Sequence, residues 1–347
     1  MKIIKVTSLP LKEVITDIAN EFGVDYDSNC DEYSLKLPSH IGEGSIRGIN
    51  FDNGLGILQY DCTFIENMEI QFVIDEVHPL KFLYCTEGEL LHRFGGGQIS
   101  HTIEKYKKAI VASDNNNGHI LHFKAGMHVV VNSLEVVRKK FAKKMACDLK
   151  VLNKPLKDLF SDVIASKEFY YDGIYSLQMA DSFAEMKAFD EGHFLRRLYL
   201  EGKAYHLLTR QIVDYQDDMK DENQRSALKM TDVRQIQEAA SILRNELATG
   251  QIIKSLSKRV GLNPNKLQKG FQYFYDATVN QYLQNIRLEH AKKLLLNTDK
   301  SMSQIVEAIG LSSNSYFSKI FREKYGYKPS QFRSKYLSSL SDPNFVG

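Results

Sequence analysis

The chain has 347 residues, 43% of them hydrophobic, which is ordinary for a globular protein and enough for two or three domains that each bury a core. Its net charge of +2 hides a division: residues 1–224 carry 26 Lys+Arg against 34 Asp+Glu, and 225–347 carry 19 against 9, so a polyanion is the expected partner of the C-terminal third. Cys30, Cys62, Cys85 and Cys147 show no CxxC spacing, and no apolar run is long enough for a signal peptide or a membrane span; this predicts four free, buried thiols in a cytoplasmic protein without a membrane partner.

Leu11, Val14, Ile15, Ile18 and Phe22 recur at three- and four-residue spacing, which predicts an amphipathic helix over 8–22 capped by Ser8. From there the pattern turns to short strands over 45–51, 54–62, 68–75, 80–86, 89–94, 109–113, 119–124 and 128–137. Turn residues stand at the breaks: Asp52-Asn53-Gly54, Glu87-Gly88, Gly95 to Gly97, and Asp114 to Gly118. Eight such strands predict a small cupin-like or jelly-roll β-barrel, an architecture whose interior often holds a small ligand. The Gly95–Gly97 run lacks the Lys-Ser/Thr and the strand-to-helix setting of a phosphate loop, so it is a hairpin.

Six histidines, His78, His92, His101, His119, His122 and His128, raise the question of a barrel metal. Such a site usually uses His-x-His, because alternate strand residues share a face. Here His119-x-x-His122 points its pair to opposite faces, so neither a metal nor another cofactor is expected.

Over 153–221 the chain reads as helical. Phe194, Leu195, Leu198, Tyr199, Gly202, Tyr205, Leu208 and Ile212 mark the packing face of a long helix that either covers the barrel or pairs with a second copy. Asp217 to Gln224 is charge-dense and aperiodic, which makes it the expected linker, and a further helix over 231–247 follows. The expected organisation is therefore α+β and multidomain. An N-terminal helix and sensor barrel take 1–150, a helical segment suited to dimerisation 151–216, a linker 217–230 and an all-α double helix-turn-helix domain 231–347.

The stretch 253–333 carries the most information. Ile253, Leu256, Val260, Gly261 and Leu262 recur as Met302, Ile305, Ile309, Gly310 and Leu311, 49 residues later. In a helix the leading apolar residues share one face, and the glycine turns the chain into a second helix. That second helix is expected to start on Asn263 with Pro264 just inside, and on Ser312 or Ser313 in the other copy. Leu267, Phe271 and Phe274, and Phe317, Ile320 and Phe321, then face inward. Phe271 and Phe321 lie 50 apart, so one residue was gained within the second copy.

With both copies laid out, the C-terminal hundred residues resemble the DNA-binding domain of the AraC/XylS family of bacterial transcription regulators, in which a long helix joins two helix-turn-helix units. The joining helix would span 279–296, with Tyr282, Leu283, Ile286, Arg287, Ala291, Leu294 and Leu295 matching the family run. The segment from Gly310 through Phe317, Phe321, Gly326 and Pro329 to Arg333 is close to the family signature. Ser257 and Val306 replace the family's small alanine, and Asp276 stands where a glycine is expected. Phe194 to Ala204 and Gly261 to Phe271 look like the branch that includes the siderophore-responsive regulator PchR, which implies an N-terminal sensor domain but does not name its effector.

The resemblance implies double-stranded operator DNA as partner and no catalytic residue. Asn265, Gln268 and Lys269 match the family's base-facing positions, and helical spacing adds Lys266 and Gln272 to the same polar face. Asn and Gln suit adenine, and Lys suits guanine. The equivalent face in the second copy is Asn314, Ser315, Ser318, Lys319 and Arg322, with Ser313 as cap and phosphate contact. The first recognition helix is thus expected to set most of the sequence preference. A small-molecule effector, RNA polymerase if the protein activates, and a homodimer complete the expected partners. The competing readings are a cupin-type metal enzyme fused to a DNA tether and a ligand-independent architectural DNA binder.

Overall fold

The computed structural model describes all residues except 74–76, 116, 146, 221–229, 250–252 and 341–347. It forms two compact units, Met1–Arg225 and Ser226–Gly347.

The first unit opens with β1 (Lys2–Val6), α1 (Leu11–Phe22), β2 (Asp27–Asn29) and β3 (Glu32–Lys36). Next come β4 (Gly42–Asn50), β5 (Leu55–Phe64), β6 (Met68–Phe72), β7 (Leu80–Glu87), β8 (Glu89–Phe94), β9 (His101–Glu104), β10 (Lys107–Ala112), β11 (His119–Phe123) and β12 (His128–Val136). It closes with α2 (Arg138–Lys144), α3 (Lys154–Ser161), β13 (Phe169–Tyr175), α4 (Leu177–Ala188) and α5 (His193–Lys220). The strands make a five-stranded sheet, β1-β6-β11-β8-β9, and an eight-stranded sheet, β13-β10-β7-β12-β5-β4-β3-β2, antiparallel except for β1 beside β6.

One apolar core lies between the sheets, as in a jelly roll. Ile4, Ile70, Leu121 and Phe123 from one sheet meet Ile46, Leu58, Tyr60, Val129 and Val131 from the other, and α1 adds Val14, Ile15 and Ile18. Phe123 sits 5.4 Å from the Tyr60 ring and 5.3 Å from Phe64, so aromatic side chains fill this interior. The opposite face of the eight-stranded sheet carries Phe82 and Tyr84, which stack on Phe160 of α3 and Phe183 of α4.

All eight predicted strands form. The one predicted over 68–75 ends at Phe72, and 74–76 lie outside the described residues. Among the described residues five further strands form where pattern gave no warning. β13 is the instructive one, because it lies in the region read as helical: its aromatic run pairs with β10 from Ala109↔Asp172 to Ala112↔Phe169. Gly173 is a close-approach residue, since a Cβ there would lie 2.5 Å from the Lys108 side chain.

Other expectations shift. Pro10, not Ser8, precedes α1, with no side-chain cap. Cys62 and Cys85 are buried, and burial pushes both thiols up to about 12, but Cys30 and Cys147 are exposed. On α5 the buried face is Leu200, Ala204, Leu207, Leu208, Gln211 and Tyr215, whereas Phe194, Leu195 and Leu198 are exposed. A half-buried ion pair holds that rotation: the buried Lys108 Nζ, on β10, lies 2.7 Å from Asp214 Oδ2. Of the expected linker, 217–220 form the last turn of α5, where Asp218 accepts a bond from the Tyr171 hydroxyl, and 221–229 lie outside the described residues.

The second unit is all helix: α6 (Met230–Asn245), α7 (Ile253–Val260), α8 (Pro264–Tyr275), α9 (Val279–Asn297), α10 (Met302–Ala308), α11 (Asn314–Tyr325) and α12 (Pro329–Leu340). Leu256, Val260, Leu267, Phe271 and Phe274 are buried, as are Val233, Ile236, Ala240 and Leu243 of α6. Gly270 lets α8 close on α6, because a Cβ there would sit 2.1 Å from Ile236 Cδ1. The second copy packs Ile305, Val306, Ile309, Phe317, Ile320 and Phe321 against Leu288, Ala291 and Leu295 of α9.

Candidate nucleic-acid interface

The two turns are built alike. Gly261 and Gly310 adopt φ of 72° and 69°, the left-handed region that costs an L-residue about 1–2 kcal/mol. Asn263 then caps α8, its side chain accepting from Lys266 N at 2.8 Å with Pro264 in the first turn. Ser313, not Ser312, caps α11 and accepts from Tyr316 N at 3.2 Å. The joining helix α9 starts on a capping box, Thr278 with Gln281, and α10 on another, Ser301 with Gln304.

The predicted polar faces divide into committed and uncommitted side chains. On α8, Gln268 Oε1 accepts from Val279 N at 3.1 Å, so this side chain ties α8 to the start of α9. Lys266 Nζ lies 2.7 Å from Asp232 Oδ1, and Gln272 Nε2 donates to Asp276 Oδ1 at 3.3 Å. Asn265 and Lys269 are exposed, and together with Asn263, Pro264 and Lys266 they line one concavity. On α11, Asn314 Nδ2 donates to Ser303 Oγ at 3.1 Å and so faces α10. Ser315, Ser318, Lys319 and Arg322 line a second concavity.

That second concavity includes two residues the sequence reading missed, Glu323 and Lys328. Glu323 continues the four-residue spacing Ser315, Lys319, Glu323 and was open to detection; Lys328 follows α11 and is brought in by the turn at Gly326. Two other basic residues of this unit are engaged in ion pairs. Arg259 forms a two-pronged pair with Glu246 at 2.7 and 2.8 Å, and Lys324 pairs with Glu289 at 3.1 Å. Among the described residues no group of three or more His, Cys, Asp or Glu is placed to hold a metal ion, and no helix is long and apolar enough to cross a membrane.

Comparison with known proteins places both units. A family model described as a helix-turn-helix domain matches residues 256–335. A second, described as the regulatory protein PchR N-terminal domain, matches residues 43–227, more than half of the chain. The chain belongs to the AraC/XylS family, in its PchR-like branch. Similar curated proteins include the uncharacterized HTH-type transcriptional regulator YijO of Escherichia coli, 34% identical over 26% of this chain and 31% of that one. The HTH-type transcriptional activator RhaR of Mannheimia succiniciproducens is 26% identical over 31% of this chain and 39% of that one. The chain thus spans well under half the length of either relative. An AraC-type DNA-binding-domain regulator from Chromobacterium violaceum is a solved structure that matches with 26% identity over 30% of this chain and 92% of that one, at a TM-score of 0.29.

Departures from the AraC/XylS pattern have local explanations. Ser257 is buried and its hydroxyl donates to Lys254 O at 3.0 Å, which satisfies it inside α7; Val306 joins the core of the second copy. Asp276 closes α8 in the left-handed conformation with φ of 52°, in the place that Gly326 takes after α11 with φ of 79°. Asp276→Gly is accordingly expected to stabilise the chain by about 0.5–1 kcal/mol, offset in part by loss of the Gln272 bond. Urea unfolding measures this; a lower midpoint than wild type would show that the Asp276 side chain outweighs the strain.

Proposed function

We infer that this chain is a sequence-specific DNA-binding transcription regulator in which α8 and α11 enter two successive major grooves, about 34 Å apart, under the control of a small-molecule signal at the N-terminal unit. The observation that carries this reading is the pair of capped helices with uncommitted polar side chains: Asn265 and Lys269 on α8, and Ser315, Ser318, Lys319 and Arg322 on α11. Lys269 and Lys319 contact guanine edges or phosphates, Asn265 reads adenine, and Ser313 touches phosphate besides capping. Lys266, Gln268, Gln272 and Asn314 act as positioning residues, since each is held by another part of the unit. With Gln268 committed to Val279, α11 carries more of the binding than residue types alone suggest.

This reading makes the N-terminal unit a sensor and assigns it no reaction. It places the protein in the cytoplasm as a homodimer and, where it activates, in contact with RNA polymerase. Footprinting on genomic fragments selected by the full chain tests it. Two protected major-groove segments a helical turn apart are expected, and protection without sequence preference would favour an architectural role. The Lys269→Ala, Lys319→Ala double variant should bind the selected site more weakly. Its plot of log affinity against log salt should be shallower by about 0.9 for each phosphate that the variant no longer neutralises. Unchanged affinity and slope would remove both lysines from the interface.

A further inference from the structure

The filled interior between the sheets is not where the first unit offers room. A slot of about 50 Å³ lies instead on the outer face of the eight-stranded sheet, with β4, β5 and β12 as floor and α4 and α5 as roof. Ile49, Ile57, Phe183, Met186 and Leu200 give it apolar walls. In its floor stands Asn132, only 1% exposed. The Asn132 Oδ1 accepts from Gln59 Nε2 at 2.7 Å, but its buried Nδ2 has no partner. A buried amide donor left without an acceptor is costly, so a missing acceptor is part of what this slot is shaped to receive.

At the mouth stand three cations. Arg196 is held by both oxygens of Glu32, at 2.9 and 3.1 Å, and Lys187 by Asp61 at 2.8 Å. Arg47 is exposed and has no ion pair among the described residues. The slot shares Glu32, Arg47, Lys187 and Arg196 with an open groove of about 670 Å³, which also contains Asp27 and Asp190. Asp190 acts on Arg196, whose guanidinium is raised first by its bond to Glu32, so Arg47 is the cation left to meet an anion.

The geometry points to a binding site for a small amphipathic carboxylate, whose compact apolar end carries one hydrogen-bond acceptor to Asn132 Nδ2 and whose carboxylate sits on Arg47. The slot takes the apolar end and the groove the remainder of the molecule. This deepens the effector reading above and rests on it for its regulatory meaning, though not for the binding itself. Arg196 and Leu200 place α5 in the roof, so an occupant would pack against the helix that runs on to Lys220.

Calorimetric titration of the full chain with para-methoxybenzoate, benzoate and para-methoxybenzyl alcohol tests the site without needing the natural ligand. The methoxy acid should bind at one site, and the other two about tenfold more weakly, because each lacks one of the two polar contacts. Arg47→Gln, a surface change, should abolish the preference for acid over alcohol while leaving alcohol binding unchanged. Asn132→Leu should abolish the preference for the methoxy acid over benzoate, with its melting curve checking that the variant folds. Equal affinities of wild type and Arg47→Gln for the methoxy acid, or no saturable binding of any of the three, would overturn the proposal. DNA selection by the same preparation keeps the two readings apart. A chain that selects DNA but binds no acid loses only this site, and one that binds the acid through Arg47 but selects no DNA loses the regulator reading.

Discussion

Acidification from pH 7 towards pH 5 is expected to unfold the Met1–Arg225 unit before the Ser226–Gly347 unit. His78, His92 and His119 are 3%, 0% and 0% exposed and lie together. His92 Nε2 and His119 Nδ1 are 3.0 Å apart, and the His78 and His119 rings are 5.5 Å apart. One nitrogen of each ring, His78 Nδ1, His92 Nδ1 and His119 Nε2, is buried without a partner. Burial lowers His78 to about 4 and His92 to about 3, and holds His119 well below the usual imidazole value of 6.5; the Lys81 ammonium opposes protonation of all three, and Arg138 that of His78 and His119.

The sign follows from linkage. Folded values lie below the unfolded 6.5, so the unfolded chain takes up more protons, and stability present above pH 6.5 is lost as pH falls, down to about 4 for His78 and about 3 for His92. Each histidine contributes at most about 1.4 kcal/mol per pH unit, so the three together remove up to about 4 kcal/mol per unit from a typical total of about 5–15. The second unit has a single histidine, His290, which is only half-buried. Urea unfolding at intervals from pH 8 to 5 should therefore show one transition moving steeply and one nearly fixed. His119→Phe should flatten the steep one by about a third. A first-unit midpoint that does not move between pH 7 and 5 would rule out neutral burial of this cluster.

What could be seen in advance divides along the range of the interactions. Asn263, Pro264, Ser313, Gly261 and Gly310 act on neighbours within a few residues, so their caps and turns were legible as pattern. Asp276 was equally local, and it adopts the conformation its position demands. The eight strands between 45 and 137 were legible from their apolar runs and from the turn residues that stand at several of the breaks between them.

The misses share a tertiary cause. β13 becomes a strand by pairing with β10, sixty residues earlier in the chain, and the buried face of α5 is set by Lys108 reaching Asp214. Gln268 looked like a free base reader, but its partner is a backbone amide on the next helix. Asn132 gave no sign at all: it is an ordinary residue in a strand until α4 and α5 close over it. Residue type and helical phase located the recognition helices; they could not say which of their side chains the rest of the unit had already engaged.

Gly310→Ala is expected to be the most damaging of the three conservative changes at the left-handed glycines of the second unit. Gly261, Gly310 and Gly326 share φ between 69° and 79°, so alanine carries the same strain of about 1–2 kcal/mol at each, reduced slightly by the stiffer unfolded chain. Their surroundings differ. A Cβ on Gly326 meets nothing within 4 Å, and one on Gly261 meets only the end of the Gln235 side chain at 3.1 Å. A Cβ on Gly310 would lie 2.6 Å from both Ala248 Cα and Leu247 O, and backbone cannot swing aside as a side chain can.

The same Leu247 carbonyl accepts from Arg287 Nε at 3.0 Å and Nη2 at 2.8 Å, so moving it also disturbs the joining helix α9. Adding about 1–3 kcal/mol for the displaced backbone gives about 2–5 kcal/mol for Gly310→Ala, against about 1–2 for the other two. Denaturant midpoints of the three variants measure the difference. Equal destabilisation at all three would mean that the turn in the second copy does not rest on the Leu247–Ala248 segment. With a larger effect at Gly310, DNA affinity is expected to fall in the same order, because the turn that leads into α11 rests on the Leu247–Ala248 segment.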